Sequence, residues 1–321
     1  MYKEIKEEYE KAYSEDMQFE KRKNIQQTYL RKCQKCILDA KDISCLLENS
    51  IVESFSYDKT GVYITLNQEF CNMKLYIHET DMDGAPTWLS CFGAYEADET
   101  EMVKRIIRLL PRNAIIFDVG ANIGWYSIMA KKCFEGVNIY SFEPAPENFT
   151  RLRRNFELNN LDTNNLVNMG FYKEKGKIDF HFNPERTGAS SIKNILCQDI
   201  EAIQVDMDTI DSWVSNNNIN SLDFIKCDVE GAEFFVYQGG IETIKKYKPI
   251  IFSEMLRKWS AKFGYHPNDI IDLLASVGYK CFVIKEDKLR KFVRVDEETV
   301  ETNYFFLHSQ KHMKIIQELC Q

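Results

Sequence analysis

The sequence lacks any run of about 18 apolar residues, and no apolar segment follows its charged N-terminus, so it predicts neither a membrane span nor a secretory signal. Its ten cysteines show no disulfide-framework spacing, and the single C-x-x-C pair, Cys33 and Cys36, is too little for a zinc ribbon. Bases are outnumbered by acids, 41 to 49, which argues against a nucleic-acid-binding protein. We therefore expect a cytoplasmic protein with reduced thiols that binds no nucleic acid.

Glycine and proline are absent from the first 60 residues. Apolar or aromatic residues recur there at intervals of four, as at Tyr29, Cys33 and Ile37, which suits one narrow face of a helix. We expect residues 1–50 to form a helical N-terminal arm that either docks on the rest of the chain or joins two copies in a homodimer. Residues 51–98 are expected to form a small β layer, with strands around 62–66 and 73–77.

Strands and helices alternate from residue 114 onward, which predicts an open, mostly parallel sheet. Strands are expected at 114–119, 138–142, 166–171, 222–227 and 250–253. Two later runs, 280–284 and 303–308, are close enough to pair as an antiparallel hairpin, which is more typical of methyltransferases than of dehydrogenases. The fold class is thus α/β, a Rossmann-like fold with a mostly parallel seven-stranded sheet over residues 99–310 and a helical tail over 311–321. The insertion between Phe171 and Ile210 is expected to cover the site.

A glycine-rich turn follows the first strand of this sheet. The strand ends at Asp118, and Gly120 and Gly124 permit a tight turn and a close helix approach. Glu143 ends the next strand, where a carboxylate accepts both hydroxyls of a ribose. A dinucleotide favours glycine at the middle position, here Asn122, because its pyrophosphate needs nearby backbone N–H groups. S-adenosylmethionine (SAM) has no phosphate, and its ammonium group suits a carboxylate, so the turn favours SAM over a nicotinamide cofactor.

Several ordered motifs, including this turn, resemble those of the FkbM family of SAM-dependent methyltransferases. The matching segments are 93–96, 117–124, 142–144 with Asn148, 188–191, 205–211 and 223–233, so the resemblance covers roughly residues 90–285. It implies the class I SAM-dependent methyltransferase fold and O-methylation, often of a sugar or polyketide-type hydroxyl. Met169 stands where the family usually has a small residue. The cofactor-binding residues that we expect are Asp118, Gly120, Asn122, Gly124, Tyr126, Glu143, Asn148 and Gly170.

A second group of carboxylates follows the fourth strand. Asp228 ends that strand, at the edge where open α/β sheets bind ligands, and Glu230 lies two residues on. An alcohol acceptor must lose a proton, and a positioned base contributes about 10²–10⁴ in rate. The candidate catalytic bases are Asp228, Glu230, Glu254 at the end of the fifth strand, and His266, whose ordinary pKa is near ~6.5. Alternatively, Asp228 and Glu254 hold a divalent metal ion that lowers the pKa of the hydroxyl.

The sequence gives only indirect signs of the acceptor. Tryptophan rings suit stacking on a sugar, and basic residues suit either the diphosphate of a nucleotide-sugar or a solvated surface. The tryptophans are Trp88, Trp125 and Trp259, and the basic residues are Arg186, Lys193, Arg257, Lys258 and Lys262.

The leading hypothesis is a SAM-dependent O-methyltransferase that acts on a hydroxyl of a sugar, either nucleotide-activated or part of a surface glycan such as capsule or lipopolysaccharide. One alternative acceptor is a lipid, polyketide or protein group. Another alternative, from a different class, is a nicotinamide-dependent oxidoreductase. A last alternative is a non-catalytic partner subunit in which the N-terminal helix carries the function.

Overall fold

The computed structural model describes residues 6, 9–10, 19–39, 47, 50–82, 84–183, 190–194 and 202–321. The chain divides into two compact units, residues 1–96 with 184–188, and residues 97–183 with 189–321. Within the described ranges, no helix combines the length and the apolar character that crossing a membrane requires.

The first unit combines helices with a small antiparallel sheet. Tyr29 is buried, and its hydroxyl donates to the carbonyl of Cys91 at 3.1 Å, so the N-terminal helix packs on a second helix of the same unit. The sheet has a strand before the two that were expected, because the chain turns sharply between Asp58 and Gly61 and pairs with itself. The elements are α1 (Phe19–Asp39), β1 (Val52–Asp58), β2 (Gly61–Leu66), β3 (Lys74–Tyr76) and α2 (Ala85–Phe92), with strand order β1-β2-β3.

The second unit alternates strands and helices along most of its length. Its first elements are α3 (Ala97–Leu109), β4 (Ile115–Val119), α4 (Trp125–Cys133), β5 (Asn138–Phe142), α5 (Pro146–Leu158), β6 (Leu166–Val167), β7 (Gly170–Phe171), β8 (Gly176–His181) and β9 (Ala202–Asp208). They are followed by α6 (Ile210–Asn216), β10 (Phe224–Cys227), α7 (Glu233–Gln238), α8 (Ile241–Tyr247), β11 (Ile250–Glu254), α9 (Arg257–Phe263), α10 (Pro267–Ser276), β12 (Tyr279–Lys285), β13 (Lys288–Phe292), β14 (Asn303–His308) and α11 (Met313–Cys320).

The main sheet of the described residues has the order β13-β12-β14-β11-β10-β4-β5-β6. Strands β11, β10, β4, β5 and β6 are parallel, whereas β14, β12 and β13 pair antiparallel. The α/β fold class is confirmed, but the sheet has eight strands rather than seven. The additional strand, β13, forms because Glu286 and Asp287 take up positive φ values of 52° and 59°, which closes a tight hairpin onto β12.

The strand order reverses at the centre of this sheet. From β4 the chain builds outward to β5 and β6, then returns to place β10 on the other side of β4. Loops that leave neighbouring strands in opposite directions open a crevice at the carboxyl ends of β4 and β10, and ligands of open α/β sheets bind in such crevices. The turn after Asp118 and the loop after Cys227 both begin there.

The run expected as one strand over 166–171 divides between two sheets. Val167 ends β6 in the main sheet, while Gly170 begins β7, which joins β9 and β8 in a separate three-stranded sheet. The break is stabilised by the Asn168 side chain, whose amide donates to the carbonyls of Glu143 and Pro144 at 2.8 and 3.1 Å. The insertion between Phe171 and Ile210 supplies β8 and β9, which form this second sheet together with β7.

An aromatic cluster fills the space beneath β4 and β5. The rings of Phe117, Phe142 and Trp213 meet edge to face, with centroids 4.9 to 5.3 Å apart, and Phe171 lies 4.4 Å from Phe142. All four side chains are buried. Such rings bury large areas and pack in fixed relative orientations, so the strands that carry Asp118 and Glu143 rest on a rigid support.

Gly120 lies against the backbone of the loop that follows β10. Its φ is +78°, and a Cβ there would lie 1.9 Å from the carbonyl oxygen of Asp228. Gly264 offers a matched comparison, because its φ is +82° and nothing lies within 4 Å of a Cβ built on it.

We expect Gly120→Ala to lower the free energy of unfolding by about 3 kcal/mol or more, because backbone strain and a steric clash combine. Gly264→Ala introduces backbone strain without a clash, and we expect it to lower the free energy of unfolding by about 1–2 kcal/mol. Urea denaturation of both variants measures the difference. Equal losses would show that the close approach of Gly120 to Asp228 is absent in solution.

Candidate active site

The glycine-rich turn is held in place by Glu143. Its carboxylate accepts the backbone N–H of Asn122 at 2.8 Å and that of Ala145 at 3.0 Å. The backbone N–H groups of Gly120 and Ala121 both donate to the carbonyl of Phe142 at 3.0 Å. Burial raises the pKa of Glu143 to about 7, and the two backbone hydrogen bonds act in the opposite direction. Glu143 thus ties the turn to the start of α5.

Lys226 lies between the two groups of carboxylates at the crevice. Only 6% of this lysine is exposed, and its ammonium nitrogen lies 3.2 Å from Asp228 Oδ2 and 3.7 Å from Asp118 Oδ1. It also donates to the carbonyl of Gly120 at 2.9 Å and stands 5.8 Å from the centre of the Tyr126 ring. One buried cation therefore contacts both carboxylates and the turn between them, a pairing that buried charges require.

Asp118 is almost completely buried, and burial raises its pKa, while the charge of Lys226 and a hydrogen bond from Ser127 lower it. Ser127 Oγ donates to Asp118 Oδ2 at 2.5 Å. Asp118 Oδ1 receives no hydrogen bond from the described residues. The Lys226 ammonium, 3.7 Å away, contacts it as an ion pair only. This oxygen can accept a hydrogen bond from a ligand.

Two asparagines beside the turn also keep unused acceptors. The side-chain oxygens of Asn122 and Asn148 are buried and, in the described part of the chain, lack a hydrogen-bond partner. Asn122 has a φ of 49° in the turn, and Asn148 lies in the first turn of α5. Buried polar atoms without partners are rare in native proteins. Together with Asp118 they form a set of acceptors that suits a polar ligand with ammonium, hydroxyl or amino donors.

The two other expected cofactor-side glycines are explained by packing. A Cβ at Gly124 would lie 2.6 Å from Leu152 Cδ1, so this glycine lets α4 approach α5. A Cβ at Gly170 would lie 2.5 Å from Met207 Sδ and 3.4 Å from Pro144 Cβ. Both glycines therefore set the distances between the elements that surround the turn.

Three carboxylates come together at the carboxyl ends of β10 and β11. Asp228, Glu230 and Glu254 each offer an oxygen such that the three atoms lie within 4.8 Å of one another. Burial and the neighbouring charge of Asp228 raise the pKa of Glu230 well above its ordinary range, and the more distant Lys258 and Lys226 act in the opposite direction. The cluster can hold a proton or, with its oxygen ligands, a divalent cation.

Glu233 and Tyr265 hold the loop that carries Glu230. Glu233 Oε1 accepts the backbone N–H groups of Val229 and Gly231 at 3.0 and 3.1 Å. The Tyr265 hydroxyl donates at 3.0 Å to the carbonyl of Gly231 and contacts Glu233 Oε2 at 3.2 Å. Burial raises the pKa of Glu233 to about 7. These contacts give Glu233 a structural role in the loop.

Ser191 holds the same loop from the other side. Its hydroxyl donates to the carbonyl of Glu230 at 2.8 Å, and the serine is completely buried. The expected motif at 188–191 thus reaches the carboxylate cluster through its last residue, while Gly188 and Ala189 lie outside the described residues.

His266 caps a helix in the structure. Its ring nitrogen Nδ1 accepts the backbone N–H of Asn268 at 3.2 Å, and the backbone N–H of His266 donates to the Asp269 carboxylate at 2.8 Å. This capping box fixes the start of α10, and the side chain is exposed. This cap role explains why a histidine precedes Pro267, and the assignment of His266 as a candidate base stays a prediction.

Two residues expected near the acceptor also have structural roles. The Trp125 indole is buried and donates to Thr100 Oγ1 at 3.0 Å, so it belongs to the core. The guanidinium of Arg257 donates to the carbonyls of Glu297 and Thr299 at 3.1 and 3.4 Å. Trp88 lies in the first unit, 4.8 Å from the Phe92 ring, and Arg186 lies outside the described residues.

A family model described as "Methyltransferase FkbM domain" matches residues 118–281. The matched segment covers half of the chain and runs from Asp118 at the glycine-rich turn to Cys281 in β12. The chain belongs to the FkbM methyltransferase family. This membership confirms the resemblance and supports methyl transfer over the nicotinamide-dependent alternative. It also places the eight expected cofactor-side residues and the carboxylate cluster inside the FkbM domain.

Curated relatives match parts of this chain at 22–29% identity. Methyltransferase 1 of Beauveria bassiana is 29% identical and covers 40% of this chain and 59% of its own length. The 2-O-methyltransferase NoeI of Sinorhizobium fredii is 28% identical, covering 54% of this chain and 76% of its own. The hexuronic acid methyltransferase AglP of Haloferax volcanii is 22% identical, covering 61% and 75%. The chain spans about three fifths of the length of the first of these relatives.

Lys226 lies at the centre of the candidate site, between Asp118 and Asp228. Its role was not predicted from the sequence. A signal was present, because Lys226 is a charged residue within the otherwise apolar strand Phe224–Cys227. A lysine there must be buried, and a buried lysine needs carboxylate partners.

The raised pKa of Glu233 predicts a pH-dependent stability. The folded protein binds this proton more tightly than the unfolded chain, so the stabilisation is present below about 4.5 and is lost as the pH rises towards about 7. Glu233→Gln keeps the acceptor for both backbone N–H groups and removes the buried charge. At pH about 8 we expect this variant to be more stable than the wild type by about 1–3 kcal/mol.

Urea denaturation at pH about 5 and about 8 measures this difference, with the exposed Glu242→Gln as the control. The gain is expected to disappear at the lower pH. A variant that is destabilised equally at both values would show that Glu233 is ionised without cost.

Proposed function

We propose that this chain is a SAM-dependent O-methyltransferase whose acceptor is a hydroxyl of a sugar. The observation that carries the proposal is the pair of carboxylates on either side of Lys226, Asp118 at the glycine-rich turn and Asp228 at the opposing loop. Among the family relatives, AglP is named for a sugar acid, hexuronic acid, and NoeI is named a 2-O-methyltransferase. The name of AglP supports a sugar as the acceptor class, and the name of NoeI supports transfer to an oxygen.

The residues around the turn fit SAM in chemical terms. Asp118 would accept the ammonium group through Oδ1, the oxygen that receives no hydrogen bond from the described residues. Glu143 would accept ribose hydroxyls, since each of its oxygens receives one backbone N–H and keeps a further lone pair. The side-chain oxygens of Asn122 and Asn148 would serve the remaining donors. When bound, SAM supplies an activated methyl group on a positively charged sulfur.

On the acceptor side, the carboxylates divide into two kinds. The raised pKa of Glu230 favours its protonated form, in which it can donate a hydrogen bond to an acceptor oxygen. Asp228 is half-buried and ion-paired with Lys226, so we assign it the removal of the hydroxyl proton. With SAM bound, Asp228 would take the proton of the acceptor hydroxyl while its oxygen takes the methyl group; the bond between the methyl carbon and the sulfur would break, and S-adenosylhomocysteine would leave. Glu254 completes the cluster at the end of β11.

Two variants should distinguish SAM binding from the rate of methyl transfer. We expect Asp118→Asn to weaken SAM binding about tenfold or more, because it removes the charge that faces the ammonium group. Asp228→Asn should bind SAM within about twofold of the wild type while the rate of methyl transfer falls about 10²–10⁴-fold. Titration calorimetry measures binding, and mass spectrometry of sugar-nucleotides incubated with SAM measures the gain of one methyl group.

Asp272→Asn, a surface carboxylate paired with Arg294, is the matched control and should change neither quantity. Wild-type protein that fails to bind SAM would disprove the proposal. Methyl transfer to a lipid or protein group, with none to sugars, would disprove only the acceptor class.

The carboxylate cluster has a second chemical use. Asp228, Glu230 and Glu254 supply the oxygen ligands that a divalent cation prefers, and a bound cation would lower the pKa of an acceptor hydroxyl. A base and a cation would occupy the same space, so one experiment separates them.

We expect methyl transfer to survive treatment with EDTA and dialysis, because the proposed base needs no metal. The measurement is the transfer rate before and after treatment, and after adding back Mg²⁺ or Mn²⁺. A loss that Mg²⁺ or Mn²⁺ restores would assign the cluster to a metal ion and Asp228 to its coordination.

A further inference from the structure

Four lysines lie over three aromatic rings beside the carboxylate cluster. Lys258 and Lys262 stand 4.2 and 5.8 Å from the centre of the Trp259 ring. Lys193 stands 5.9 Å from the Phe263 ring, and Lys173 stands 5.7 Å from the Phe235 ring. The rings of Phe235 and Phe263 are 6.1 Å apart. We call this group the lysine–aromatic band (Lys173, Lys193, Lys258, Lys262, Phe235, Trp259 and Phe263).

The band adjoins the loop that carries the acceptor-side carboxylates. A Cβ at Gly231 would lie 2.9 Å from Trp259 Cβ and 3.0 Å from the Phe263 ring, so both side chains pack on the residue after Glu230. Lys258 is close enough to Glu230 to lower its pKa. Lys193 lies two residues after Ser191, which donates to the carbonyl of Glu230. Each part of the band is thus joined to the Glu230 loop.

The charge of this band is opposite to that of its surroundings. The whole chain has a formal net charge of -8, and the neighbouring cluster holds three carboxylates. All four lysines are exposed, and their contacts with rings keep the ammonium groups near the band rather than spread through solvent. Exposed ammonium groups bind phosphate and carboxylate groups, and aromatic rings pack on the apolar faces of sugars.

We propose that the lysine–aromatic band binds an anionic group of the acceptor, a phosphate or a carboxylate attached to the sugar that is methylated. The inference rests on the proposed function and narrows its substrate class. The anion contacts the lysines while the neutral hydroxyl reaches Asp228. An anionic acceptor would otherwise be repelled by the carboxylate cluster, and the band offsets that repulsion.

The test is direct binding of simple anions to the full chain, measured by calorimetry in the presence of SAM at low salt. Inorganic pyrophosphate represents a diphosphate group, glucuronate represents a sugar carboxylate, and glucose is the uncharged comparison. The variant is the double substitution Lys258→Glu with Lys262→Glu. Its control is Lys246→Glu, since Lys246 is also exposed and stands 4.5 Å from an aromatic ring, that of Tyr247. Tyr247 ends α8 just before β11 begins, so it precedes the amino end of β11, whereas Glu254 lies at the carboxyl end.

We expect the wild type and Lys246→Glu to bind at least one anion, with affinity that falls as salt rises. The double variant should lose about tenfold or more of that affinity. The anion that binds identifies the source of the negative charge. Failure of both anions to bind, or equal binding by the double variant, would overturn the inference. Titration of SAM alone with the wild type then distinguishes the two failures, because SAM binding without anion binding leaves the proposed function in place.

Discussion

The ion-pair contacts of Lys226 connect the two halves of this site. A buried ammonium group is costly unless carboxylates and hydrogen-bond acceptors compensate it, and Lys226 has Asp118, Asp228 and the carbonyl of Gly120. The carboxylates depend on the lysine in turn, because the negative charges of the buried Asp118 and the half-buried Asp228 would otherwise repel each other. Removing one member of such a group typically costs about 3–5 kcal/mol. The positions of the turn and of the opposing loop therefore depend on one another.

Two other buried carboxylates at the site stabilise the backbone of its loops. Glu143 and Glu233 each accept two backbone N–H groups, at the glycine-rich turn and at the loop after β10. Both have a pKa raised to about 7 by burial, so each turn is held at the cost of a poorly solvated carboxylate. The fold thus uses buried acids to stabilise the loops between which the substrates would meet. The remaining carboxylates, Asp118, Asp228, Glu230 and Glu254, are the candidates for chemistry.

Much of the fold could be predicted from the sequence because its signals are local. Asp118 lies near the end of an apolar strand, Gly120 and Glu143 follow apolar strands, and the alternation of strands and helices indicates a parallel sheet. The break in the run 166–171 could not be predicted, because it depends on contacts of Asn168 with the distant Glu143 and Pro144. Strand β13 depends on two residues with positive φ that are neither glycine nor asparagine.

The site shows the same division between local and distant causes. The grouping of Asp228 and Glu230 on the loop after β10 could be predicted, because they are two residues apart in the sequence. The role of Lys226 needed the three-dimensional pairing of β10 with β4, which places it beside Asp118. The cap role of His266 could not be predicted from the sequence either, because it depends on hydrogen bonds with Asn268 and Asp269 in the folded chain.

The most direct test of the central role of Lys226 is the pH dependence of SAM binding to Lys226→Met, a replacement of similar length without charge. Without the lysine, the pKa of Asp118 should rise further, which favours its neutral form and weakens its attraction for the ammonium group. Calorimetric titration is therefore expected to show weaker SAM binding to Lys226→Met than to the wild type, with a difference that narrows as the pH rises. A folded Lys226→Met that binds SAM like the wild type at every pH would contradict the account.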